Sequence, residues 1–87
     1  MSQVVMYSTS WCPYCAMAKR LLDEKGQTYE EIDVEVVAGS RQEMVEKSGR
    51  HTVPQIFVGT RHVGGYDDLM ALESQGRLAG VLAGGEA

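Results

Sequence analysis

The chain has 87 residues, of which 44% are hydrophobic and 23% charged. That length allows one small domain with no second core, and the composition is globular rather than disordered. The formal charge of −4 at pH 7 argues against a general nucleic-acid binder, which is usually basic.

The start, Met1-Ser2-Gln3-Val4-Val5, lacks the basic stretch and long apolar run of a signal peptide. No apolar stretch approaches the ~18 residues that span a bilayer. A cytoplasmic location without a membrane partner is the expectation.

Gln3 to Ser8 is a short β-prone run and predicts a first strand. A polar stretch, Ser8-Thr9-Ser10, leads into Trp11-Cys12-Pro13-Tyr14-Cys15. Pro13 suits the first position of a helix, where its missing N–H costs nothing. Tyr14, Met17, Ala18, Leu21 and Leu22 then recur at helical spacing and predict one buried face, with Gly26 as the stop. Thr28 to Val34 predicts a second strand. Ser40, with Glu43 three residues on, reads as an N-cap and capping box for a helix that runs to about Ser48.

Pro54 opens a third strand, Gln55 to Val58, and Gly59-Thr60 turns it into a fourth, Arg61 to Val63. A third helix starts near Tyr66, turns Leu69, Met70 and Leu72 toward the core, and ends around Gly76. Residues 80–87 are small and Gly-rich and read as a loose tail. The order βαβαββα makes the first two strands parallel by a right-handed crossover. The short turn makes strands three and four antiparallel. The predicted fold is α/β and thioredoxin-like, a mixed four-stranded sheet flanked by three helices in a single domain, residues 1–87.

Cys12 and Cys15 are the only cysteines. A disulfide-stapled mini-protein usually carries more, spread along the chain, and one bridge across so short a loop adds little stability. The pair therefore reads as reactive. Cys-x-x-Cys puts the thiols one helical turn apart. Cys12 falls at the helix N-terminus, where unpaired N–H groups and the dipole favour a negative charge. Cys15 lies inside the first turn, on the covered face. Cys12 is thus the expected exposed nucleophile and Cys15 the shielded resolving thiol. An ordinary cysteine, with pKa ~8.5, is only about 3% thiolate at pH 7, so such a helix start matters. A zinc site is the competing reading, but only His51 and His62 could supply nitrogen ligands, at an unfamiliar spacing.

Cys12-Pro13-Tyr14-Cys15 resembles the dithiol motif of the glutaredoxins, in particular the small bacterial CPYC type. Thr52-Val53-Pro54-Gln55-Ile56-Phe57 is similar to their central loop and strand, and Gly64-Gly65-Tyr66-Asp67-Asp68-Leu69 to their glutathione-binding turn. The resemblance runs from about Val4 to Leu78. It implies a glutathione-dependent thiol–disulfide oxidoreductase, a monomer with glutathione as co-substrate and no tightly bound cofactor or metal. Its protein substrates would be glutathionylated or disulfide-bonded, ribonucleotide reductase being one candidate. Cys12 would attack a glutathione mixed disulfide and be left carrying glutathione, which a second glutathione releases. With a protein disulfide, Cys15 would resolve the mixed disulfide.

The same resemblance implies a cis Val53–Pro54 bond beside the cysteines, with the Val53 N–H and C=O offered to an incoming peptide. Thr52 and Pro54 belong to that loop. Gly65, Tyr66 and Asp67 would open the third helix, its amides holding the γ-glutamyl carboxylate and Asp67 the amino group. Tyr14 would flank the sulfurs, and Arg41 would meet the glycyl carboxylate. Trp11 is either a rim for partners or a cover, and His51 has no assigned role. Many members of the family carry a lysine three residues before the first cysteine. Thr9 stands there and brings no charge to the site. Two other readings stay open, an iron–sulfur carrier and a dedicated hydrogen donor to one reductase. Pro13 and the second cysteine count against the carrier.

Overall fold

The computed structural model describes residues 3–84. Four strands, β1 (Val4–Ser8), β2 (Glu30–Asp33), β3 (Gln55–Val58) and β4 (Arg61–Gly64), form one sheet in the order β2-β1-β3-β4. β1 runs parallel to β2, while β3 is antiparallel to both β1 and β4. Helices α1 (Pro13–Glu24), α2 (Ser40–Ser48), α3 (Tyr66–Ser74) and α4 (Leu78–Leu82) complete the chain. The mixed sheet, the parallel first pair and the antiparallel last pair are as expected from the sequence; the central antiparallel pairing of β1 with β3 comes from the structure.

The central strands are covered on both faces, which is why they read as apolar runs rather than alternations. Val4, Met6, Ile56 and Val58 point to one side and pack with Ala18, Leu21 and Leu22 of α1, Leu69 of α3 and Leu78, Val81 and Leu82 of α4. Tyr7 and Phe57 point to the other side and meet Val34 and Met44. This alternation is the period-two geometry of a strand. Truncating a fully buried residue such as Leu22 to alanine costs ~2–5 kcal/mol in sites of this kind.

Five expectations need correction. The loose tail from residue 80 and the count of three helices both fail. α4 spans Leu78–Leu82, and three of its five residues are buried; residues 85–87 lie outside the described part. Periodicity is hard to read over one helical turn, and the composition around Gly80 hides the three apolar contacts. On α1 the buried face is Cys15, Ala18, Leu21 and Leu22, whereas Tyr14 and Met17 are exposed. Cys15 takes the inward place that the spacing gave to the longer side chains. Ser40 is not the N-cap of α2. Gly39 is, in a left-handed conformation, and the Ser40 hydroxyl donates to the Val37 carbonyl at 2.6 Å. Glu43 reaches across to the Tyr7 hydroxyl instead of back to its own helix start. Finally, β2 is shorter than the predicted Thr28–Val34.

Candidate active site

The cysteines sit where β1 hands the chain to α1. Cys12 is the N-cap, with extended backbone angles, and Pro13 occupies the first helical position. The Cys15 N–H donates to the Cys12 sulfur at 3.2 Å. On its other side the Cys12 sulfur lies 3.7 Å from the Val53 carbonyl oxygen. Both cysteines are free thiols. Cys12 is 8% exposed and Cys15 fully buried. Cys12 is the more accessible of the two residues, but it is buried, not exposed as expected, because the Val53–Pro54 loop lies against its sulfur. Burial, with the Cys12 sulfur alongside, pushes the Cys15 thiol up to about 12, against a smaller opposing pull from a Thr9 backbone hydrogen bond. Cys15 is thus held neutral at physiological pH.

Beside this pair runs a cleft of about 340 Å³. Tyr14, Thr52, Val53, Pro54, Gly65, Tyr66 and Asp67 line it, together with Arg50, Gln55 and Asp68. The Val53–Pro54 bond is cis, as the resemblance implies. The Tyr14 and Tyr66 rings face each other across a 6.0 Å centroid separation.

The far end is built by Gly64-Gly65. Gly64 has φ +119, and a Cβ there would lie 2.3 Å from an Asp68 carboxylate oxygen and 2.9 Å from the Asp68 Cβ. Only glycine fits that approach. The Gly65 N–H donates to the same Asp68 oxygen at 2.9 Å. Arg50 donates to it as well, at 2.9 Å. Arg50 and that N–H together hold the Asp68 carboxyl below the usual carboxylate range. With Asp68 committed to the helix cap and Arg50, exposed Asp67 is the carboxylate of that helix start left facing outward.

Most predicted site residues come together here. Arg41 does not: it is exposed on the first turn of α2 and does not line the cleft. The guanidinium that does line it belongs to Arg50, which the sequence reading passed over. Its signal was weak, a basic residue just beyond the helix-ending Gly49. Ser48 fixes it there, its hydroxyl accepting from the Arg50 N–H at 3.0 Å. Gln55 was also missed, because a polar residue that opens a strand rarely advertises that it will be buried. Thr9, which stands where many relatives carry a lysine, is buried.

A mixed sheet of this order, with a Cys-x-x-Cys pair at the start of the first helix and a cis-proline loop against Cys12, defines a thioredoxin-like dithiol protein. The comparisons narrow the class. The glutaredoxin family model matches residues 4–63. A glutaredoxin from Pseudomonas aeruginosa is 49% identical over 83 residues, covering 95% of this chain and 99% of that one. Glutaredoxin 3 of Escherichia coli K12 is 46% identical over 82 residues, covering 94% and 99% respectively. The solution structure of a glutaredoxin from Brucella melitensis superposes with a TM-score of 0.86 at 50% identity, over 100% of this chain and 95% of that one. A buckwheat glutaredoxin–glutathione complex gives 0.87 at 30% identity, over 99% and 83%. The chain belongs to the glutaredoxin family, the thiol–disulfide oxidoreductases, and carries the dithiol form of the motif.

Proposed function

We propose that the chain reduces glutathione mixed disulfides and protein disulfides with glutathione as co-substrate, Cys12 being the nucleophile. The observation that carries this reading is the position of the Cys12 sulfur, 3.7 Å from the Val53 carbonyl at the end of a cleft with an open helix start at its other end. A γ-glutamyl-cysteinyl-glycine fits that layout in one direction. Its cysteinyl unit pairs with the Val53 backbone like a short added strand. Its γ-glutamyl carboxylate takes the amides at the start of α3, and Asp67 takes the amino group. Thr52, Pro54, Gly65 and Tyr66 shape the walls. Tyr14 closes the side next to the sulfurs. Arg50 is the cation within the cleft; Arg41 is left without a contact.

In the glutathione route the Cys12 thiolate attacks the glutathione sulfur of a mixed disulfide. The protein sulfur leaves as a thiolate and takes a proton. A second glutathione thiolate then attacks the glutathione sulfur on Cys12, forming glutathione disulfide and restoring the Cys12 thiolate. In the dithiol route Cys12 attacks one sulfur of a protein disulfide and releases the other. Cys15 then loses its proton as its sulfur attacks Cys12, the substrate sulfur leaves as a thiol, and a Cys12–Cys15 disulfide remains. The high Cys15 pKa keeps that thiol silent until the mixed disulfide forms.

Among the described residues no helix is long and apolar enough to cross a membrane. A reducing cytoplasm, which keeps both thiols free, is the location that suits this chemistry. The decisive measurement is turnover of the mixed disulfide of glutathione and 2-mercaptoethanol, coupled to glutathione reductase and NADPH. Wild type is expected to turn it over. Absence of turnover in folded, reduced protein overturns the reading.

A further inference from the structure

On the far side of Cys12 from the cleft, the chain leaves apolar side chains uncovered. Trp11 is 67% exposed, Val36 77% and Val37 50%. Trp11 directly precedes the nucleophile position. Val36 and Val37 follow β2, whose parallel pairing with β1 brings the ends of both strands to the same edge of the sheet. The loop after β2 is fixed there. The Val34 N–H donates to the Ser8 carbonyl at 2.9 Å, and the Val36 and Val37 N–H groups both donate to the Asp33 carbonyl. Asp33 Oδ1 also accepts from the Glu35 N–H at 2.9 Å. The Trp11 indole N–H donates to the Glu35 carboxylate at 2.9 Å, joining the two segments into one surface.

The segment that forms β2 and the loop after it has one sign of charge. Between Glu30 and Val37 the chain carries Glu30, Glu31, Asp33 and Glu35 and no basic residue. Lys19 pairs with Glu31, and Glu30 accepts from the Gln3 amide. Among the described residues no ion pair reaches Asp33 or Glu35. Arg41 is the next basic residue along the chain, already on α2.

We infer that Trp11, Glu35, Val36 and Val37 form a docking strip for an extended segment of a protein substrate, one with an apolar residue and a lysine or arginine beside its reactive cysteine. The inference rests on the thiol–disulfide reading above and specifies the protein half of its substrate. The apolar residue lies over Trp11 and the two valines, and the cation meets the carboxylates of Glu35 and Asp33. Exposed aromatic residues beside unpaired charge are what such recognition requires. Glutathione, held in the cleft on the other side of Cys12, does not touch the strip.

The test uses three substrates with the full chain. Two are synthetic octapeptides with one glutathionylated cysteine, flanked either by Lys and Leu or by Glu and Ser. The third is the mixed disulfide of glutathione and 2-mercaptoethanol. Wild type is expected to favour the Lys/Leu peptide by about fivefold or more in kcat/KM, the size of an exposed ion pair with an added apolar contact. The preference should shrink as salt rises. Glu35→Lys should remove or invert it, and Val36→Ser with Val37→Ser should weaken it, while turnover of the small substrate stays unchanged. Equal use of both peptides beside full activity on the small substrate overturns the strip alone. A preference untouched by Glu35→Lys does the same. Failure with all three substrates overturns the thiol–disulfide reading itself.

Discussion

His62 Nε2 lies 2.7 Å from Gln55 Oε1, and the amide nitrogen of Gln55 donates to the Thr52 carbonyl at 3.0 Å and to the Thr52 hydroxyl at 3.3 Å. The amide is thereby oriented from both ends. Because its nitrogen faces Thr52, its oxygen accepts and His62 must donate. An edge-strand imidazole thus holds a buried glutamine, and the glutamine holds the loop that carries Val53.

His62→Leu should leave the buried amide oxygen without its donor, at a cost of ~1–3 kcal/mol. The Thr52 carbonyl should lose its fixed partner as the amide turns. The expected kinetic result is a several-fold rise in KM for a glutathione mixed disulfide with kcat little changed, and His62→Gln should recover most of it. An unchanged KM in His62→Leu would show that the loop holds its shape without this tie.

The two thiols should separate by mutation and by chemistry. Cys12→Ser should abolish turnover of every disulfide, since no other sulfur stands at the start of α1. Cys15→Ser should keep glutathione mixed-disulfide reduction and lose most protein-disulfide reduction. In the reduced wild type, iodoacetamide at pH 8 should label Cys12 and spare Cys15, which is buried and held neutral with a pKa of about 12. Peptide mapping by mass spectrometry reads this directly. Equal labelling at both positions, or a Cys15→Ser variant inactive on the glutathione substrate, would reverse the roles assigned here.

Stability should fall with acid in two steps. Burial, and then Arg50, lower the His62 pKa against an opposing pull from Asp68. A lowered histidine is neutral in the folded chain while the unfolded chain takes up a proton. Its contribution is present above the ordinary value of 6.5 and is lost as pH falls from there through the folded value. Asp68 is lowered chiefly by Arg50 and then by the Gly65 N–H. Its contribution is present above the ordinary 3.8 and is lost below it. Denaturant titrations across pH 2–8 should show both steps, and Asp68→Asn should diminish the lower one, to which Glu31 and Glu43, also lowered by their partners, contribute as well. A carbon-detected NMR titration in which Arg50→Gln leaves the Asp68 carboxyl unmoved would contradict the ion pair.

Thr9 is buried, and its hydroxyl has no hydrogen-bond partner among the described residues. Thr9→Val keeps the shape and removes the unsatisfied group, so the variant should be as stable as wild type or more stable by up to about 1 kcal/mol. Chemical denaturation decides it. A loss of more than about 1 kcal/mol would mean that the hydroxyl has a partner in solution.

The strands and three long helices were legible because they rest on local signals: apolar runs, Pro13 at a helix start, and glycines at the turns. The cysteine pair was legible for the same reason, since one motif carries both its spacing and its helix start. What was not legible depends on contacts between distant segments. Arg50 meets Asp68 only because the Gly49 turn and the Gly64-Gly65 approach bring them together. Glu43 has good local spacing for a capping box, yet the Tyr7 hydroxyl across the sheet claims its carboxylate. Arg41 and Arg50 look equally plausible along the chain, and the turn that ends α2 decides which one reaches the cleft.

The order β2-β1-β3-β4 leaves two strands at the edges of the sheet, and each is unsuited to recruiting a strand from a neighbouring molecule. β2 reads Glu-Glu-Ile-Asp, so an approaching copy would bring like charges into register with these. β4 has four residues, ends in Gly64, and slips register against β3 between Ile56 and Phe57. Short, charged or irregular edges are how sheets avoid joining end on. The sheet therefore ends where the chain's own strands end.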